Sequence, residues 1–101
     1  MSSELPVELH LISRLADDRA WRSCRRRAET GSRVRVVLFH DAVLETEERV
    51  ADALGGGDHP QVVVLACAAD ALRRRVGERW ALIDYPEIIR SCAAASQVTS
   101  W

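Results

Sequence analysis

Three apolar segments rich in β-branched residues or leucine punctuate the chain: "VELHLIS" from Val7, "RVRVVLFH" from Arg33 and "QVVVLACA" from Gln61. Stretches of helical pattern separate them, and this alternation limits the fold more than any other feature. The second and third segments are nearly continuous apolar runs, as strands covered on both faces require. Between the first two, "DDRAWRSCRRRAETG" sets Asp17 and Asp18 at the positive end of a helix and Gly31 at its stop. "AVLETEERVADALGGG" puts Val43, Val50, Ala53 and Leu54 on one helical face before a triple glycine. After the third segment, "AADALRRRVG" offers Leu72 and Val76 at i,i+4 and stops at Gly77. A short strand "WALIDY", a helix "PEIIRSCAAAS" opened by Pro86 and a last short strand "QVTSW" complete the pattern. Strands joined through helices by a few residues predict one α/β domain over residues 1–101. Its sheet is expected to be doubly wound and mainly parallel, of about five strands, with helices on both faces.

Composition bounds the rest. A chain of 101 residues, 48% hydrophobic and 29% charged, affords one modest core that gains from a partner and leaves no room for a second domain. The net charge of −1 predicts no overall pull toward nucleic acid or an anionic membrane, although all 14 basic residues are arginine. No apolar run approaches the roughly 20 residues of a membrane span. The opening "MSSELPVELHLISR" lacks the order of a signal peptide, so a cytoplasmic location is expected. Three cysteines without CxxC spacing argue against a disulfide framework and a zinc site, and predict reduced thiols.

Reactive groups on open α/β sheets gather at the carboxyl ends of the strands, where Cys67, His40 and Asp41 fall. Cys67 admits two readings. A helix starting near Ala68 or Ala69 would turn free N–H groups and a positive dipole end toward its sulfur and favour the thiolate. Alternatively it is an apolar strand residue beside Leu65, since free cysteine is among the most buried residue types. Cys24 has Arg22, Arg25, Arg26 and Arg27 around it to stabilise a thiolate. Yet Trp21, Cys24 and Ala28 recur at i, i+3 and i+7, which places this thiol on the apolar face. Cys92 aligns with Ile88 and Ile89 and reads as core packing.

Adjacent residues on a strand point apart, so His40 and Asp41 are expected to be a rim histidine and a cap for a helix starting near Ala42 rather than a catalytic pair. His10 reads as a satisfied interior or edge histidine. No metal-ligand spacing stands out, and no cofactor is implied. "GGGDHP", Gly55 to Pro60, follows a helix and precedes a strand, the reverse of the order that cradles phosphate, and reads as a flexible turn. Arg25 to Arg27 and Arg73 to Arg75 read as solvated helix faces. If they meet a partner, the near-zero net charge favours an acidic protein over tRNA. Trp80, Tyr85, Val98 and Trp101 either close the core or form a subunit contact.

Together, "LHLISR", "AETGSRVRVVLFHDAVL", "ALIDYPEIIR" and the closing "QVTSW" resemble the DsrH/TusB family of small sulfur-relay subunits over nearly the whole chain. The resemblance implies a doubly wound α/β domain that assembles with DsrE/DsrF-like or TusD/TusC-like sister subunits into a hexamer. It also implies the handing of persulfide sulfur to a small acceptor protein. The destination is 2-thiolation of the wobble uridine of tRNA in one branch and cytoplasmic sulfur oxidation in the other. One feature departs from the family pattern. Cys67, five residues before Leu72 in "CAADALRRRV", sits where DsrE/TusD subunits carry their sulfur-accepting cysteine, a site usually without cysteine in DsrH/TusB. The expected sulfur carrier is therefore Cys67, with Cys24 second. The rival is a structural subunit without sulfur chemistry. A nucleotide-binding domain ranks last, because no glycine-rich strand-to-helix turn is present.

Overall fold

A computed structural model describes residues 7–56 and 59–101. The order is β1 (Val7–Ile12), α1 (Asp18–Glu29), β2 (Arg33–Leu38), a 3-10 turn (His40–Leu44), α2 (Glu47–Ala53), β3 (Val62–Cys67), α3 (Ala68–Arg73), β4 (Ala81–Ile83), α4 (Tyr85–Ala94) and β5 (Gln97–Ser100). The strands form one sheet in the order β4-β3-β2-β1-β5, and every neighbouring pair is parallel. The expected α/β fold is the one observed.

Topology fixes which face each helix covers. The first three crossovers all step the same way, so right-handed connections put α1 and α2 on one face. The fourth leaps back from β4 to the far side of β1, which sends α4 to the opposite face. Two cores result. On the α1/α2 face Ile12, Trp21, Cys24, Val36, Leu38 and Val43 pack together. On the α4 face the cluster is smaller, comprising Leu9, Val37, Cys67, Ile83 and Ile88.

Local signals explain α1 and α4. The Asp17 carboxylate accepts from Ala20 N–H and starts α1, whose stripe of Ala20, Trp21, Cys24 and Ala28 is buried. Gly31, at φ 95°, turns the chain out of the helix in a conformation that side chains disfavour. Asp84 accepts from Glu87 N–H, and Pro86 lies in the first turn of α4. This cap also shortens the expected strand "WALIDY" to Ala81–Ile83, because Tyr85 is already helical.

Three other expectations are corrected. The segment from Ala42 to the glycines is not one helix but the 3-10 turn followed by α2. The break lies at Glu45, whose buried carboxylate accepts from Ala16 N–H at 2.9 Å and from Arg49 at 3.2 Å, while the Thr46 hydroxyl accepts from Arg49 N–H and begins α2. Asp41 caps nothing. Phe39 occupies the cap position without a side-chain bond, and Asp41 pairs with Arg74 at 3.1 Å. Finally, α3 ends at Arg73, and a left-handed Arg75 at φ 56° turns the chain away. Leu72 is consequently 81% exposed, whereas Val76 reaches the α1/α2 core from beyond the helix. Of the glycine turn Gly55 to Pro60, Gly57 and Asp58 lie outside the described residues. Among the described residues no helix is long and apolar enough to cross a membrane.

Candidate functional site

Side chains alternate along a strand, so Val63, Leu65 and Cys67 of β3 face α4 while Val62, Val64 and Ala66 face α1 and α2. Cys67 ends β3 and is at once the N-cap residue of α3, with φ −60° and ψ 121°. Its register partner on β4 is Ile83. Leu9, Val37, Ile83 and Ile88 make up the rest of its buried cluster, and Cys67 itself has no exposed surface.

Tyr85 approaches this thiol from the side of α4. It is the first residue of α4 and neighbours Cys67, and that proximity is the main cause that pushes the phenol's pKa up. Tyr85 is itself 53% exposed, whereas Cys67 is fully buried. Asp70 and Arg73 act on the same hydroxyl, the carboxylate raising its pKa and the guanidinium lowering it. A phenol held protonated is a hydrogen-bond donor suited to a sulfur anion.

Asp70 is a site residue that sequence patterning overlooked. It lies in the first turn of α3, is 1% exposed and accepts from His40 N–H at 2.9 Å. Arg73 and Arg74 come within 3.6 and 3.7 Å of the other oxygen. The only sequence signal was an acid in an otherwise alanine-rich helix start. Its bond holds His40 in a left-handed conformation, φ 49°, at the end of β2. The neighbouring Asp41 carboxylate pairs with Arg74.

A cleft of about 250 Å³ opens at the carboxyl ends of β1, β2 and β5, lined by Leu11, Ser13, Phe39, His40, Ser100 and Trp101. Cys67 does not line it. A hollow of about 390 Å³ at the opposite end of the sheet adjoins the Glu8–Arg27 pair, joined by bonds of 2.8 to 3.0 Å. His10 is interior: Trp101 Nε1 donates to its Nδ1 at 3.1 Å and the two rings stack.

The remaining thiols are placed as periodicity predicts. Cys24 is fully buried on the inner stripe of α1, and burial pushes its thiol up to about 12, so it holds its proton at neutral pH. The flanking arginines do not reach it: Arg25 pairs with Glu29 and Arg27 with Glu8. Cys92 is half-buried against the α4-side core. The structure therefore brings Cys67, Tyr85 and Asp70 together and leaves Cys24 apart. Among the described residues no group of three His, Cys, Asp or Glu is placed to hold a metal ion. No protein-family model matches the chain, and no curated protein matches its sequence.

Proposed function

We propose that this chain is a cytoplasmic sulfur-relay subunit of DsrH/TusB type, with Cys67 as the atom that accepts and donates persulfide sulfur. The observation that carries the reading is the position of Cys67, at the carboxyl end of an inner parallel strand and the start of α3, with Tyr85 of α4 beside it. Transfer needs Tyr85 to swing aside. The Cys67 thiolate then attacks the outer sulfur of a donor persulfide, the donor's S–S bond breaks, the donor leaves as a thiolate and Cys67 holds the persulfide. Tyr85 donates to the resulting anion. The reverse attack by an acceptor protein's thiolate empties the site. Sister subunits of DsrE/DsrF or TusD/TusC type complete the assembly, and tRNA wobble-uridine thiolation or sulfur oxidation is the destination.

The test is loading with glutathione persulfide followed by intact mass measurement. Wild type and Cys24→Ser are expected to gain one sulfur atom, and Cys67→Ser none. A second reading is favoured by the complete burial of Cys67. In it the chain is a structural subunit whose partner carries the reactive cysteine. No sulfur gained by any variant, with partner subunits captured equally by wild type and Cys67→Ser, decides for it.

A further inference from the structure

Five arginines project from α1, and their pairing sorts them into two groups. Arg25 bonds Glu29 and Arg27 bonds Glu8. Arg19, Arg22 and Arg26 are exposed, have no carboxylate partner among the described residues, and line one cleft of about 230 Å³ together with Ser23 and Trp101. Three like charges on one flank repel each other, so the cleft is built for an anion.

The neighbouring feature identifies what kind of anion. Trp101 follows β5, the edge strand, which pairs only with β1 among the described residues. Natural edges are guarded by charge, proline or bulges. Gln97-Val98-Thr99-Ser100 has none of these. Trp101 N–H is turned inward to Leu11 O at 2.9 Å, so strand alternation turns the amides of Val98 and Ser100 toward the open side. A free row of backbone groups recognises another polypeptide.

We infer that the edge of β5 and the Arg19/Arg22/Arg26 cleft together form a docking groove for an extended acidic segment of a partner protein. The segment adds a strand beside β5, and acidic side chains on alternate residues fall on the α1 face. Same-face residues of a strand recur at about 6.6 Å, and Arg19 to Arg26 spans about 10 Å of helix, so carboxylates at i and i+2 meet the cluster. A second copy is disfavoured as occupant. Pairing β5 with β5 about a two-fold axis would bring two arginine flanks to the same side of a continuous sheet. Nucleic acid could use the charge but not the backbone edge. The groove is independent of the sulfur chemistry at Cys67.

The probe is a fluorescein-labelled peptide of alternating Glu and Val, titrated into the full chain by anisotropy. Binding is expected, weakened at least about tenfold in Arg22→Glu/Arg26→Glu and unchanged in Arg75→Glu. The Val98 and Ser100 amides should exchange more slowly in the complex. A peptide N-methylated at alternate residues on its pairing edge should lose binding, whereas equal binding of that peptide overturns the added strand. Failure of the peptide to bind, or tighter binding of a labelled oligouridine lost in the same double variant, overturns the proposal, the latter in favour of RNA.

Discussion

A thiol enclosed by aliphatic side chains meets a reagent only when something moves aside, and a persulfide anion formed there needs a donor. In the proposed relay both roles at Cys67 fall to Tyr85, and two substitutions separate them. Tyr85→Ala removes the shield, so alkylation of Cys67 by iodoacetamide is expected to accelerate at least about tenfold, the factor that follows from lowering an opening cost by about 1.4 kcal/mol. Tyr85→Phe keeps the ring and removes only the donor. It should leave alkylation near the wild-type rate yet shorten the lifetime of a loaded persulfide. Equal alkylation rates in wild type and Tyr85→Ala would show that the phenol is no gate.

His10 gives a different residue-level outcome. Its Nδ1 accepts from Trp101, so the proton sits on Nε2, a buried atom without a partner among the described residues. Burial holds its pKa below the ordinary 6.5, partly countered by Glu8, with Arg27 adding to the lowering. The unfolded chain therefore binds the proton more readily than the folded one. Stability from neutral His10 is complete above pH 6.5 and is lost as pH falls from there through the folded value. Melting temperature should decline across that window in the wild type and stay flatter in His10→Gln. Glu8, whose carboxyl Arg27 holds below the ordinary 4.5, adds a separate loss only below pH 4.5.

Between elements, one carboxylate ties α3 to the end of β2. Asp70 is buried and holds the His40 N–H, with Arg73 and Arg74 at its rim. Asp70→Ala strands that buried donor and is expected to cost about 1–3 kcal/mol in urea unfolding, while Asp70→Asn retains an acceptor and should cost less. The two inner strands β2 and β3 and the helix α1 were legible in the sequence because a parallel strand covered on both faces is written as a nearly unbroken apolar run, and a stripe such as Trp21, Cys24 and Ala28 needs only local spacing. The break at Glu45 was not, since it depends on an N–H supplied by Ala16, 29 residues away. Nor was the early end of α3, which follows a backbone turn at Arg75 instead of periodicity. For the site, the position of Cys67 at a strand end could be read directly. Its burial is one of the two readings open there, and the choice could not be made, because the cover comes from α4, which reaches it only through the long crossover from β4 to β5.

That crossover makes the whole molecule asymmetric. Three connections thicken one face, where α1 alone buries Ala20, Trp21, Cys24 and Ala28; the other face depends on α4, which fully buries only Ile88 and leaves Tyr85 and Ile89 exposed. Regions with few buried apolar contacts open at lower free energy than the core. Undocking α4 should therefore occur below the global unfolding cost, and it uncovers Cys67 while leaving Cys24 sealed. The two thiols report on these events separately when alkylation is measured by site-resolved mass spectrometry across sub-denaturing urea. Because the urea slope scales with the surface exposed on opening, Cys67 should react with a shallow dependence and Cys24 with the full slope of global unfolding. The same small opening would let a visiting persulfide reach Cys67 in a folded domain. If both thiols follow the global slope, α4 does not open on its own, and the swing of Tyr85 alone is left to admit a reagent to Cys67.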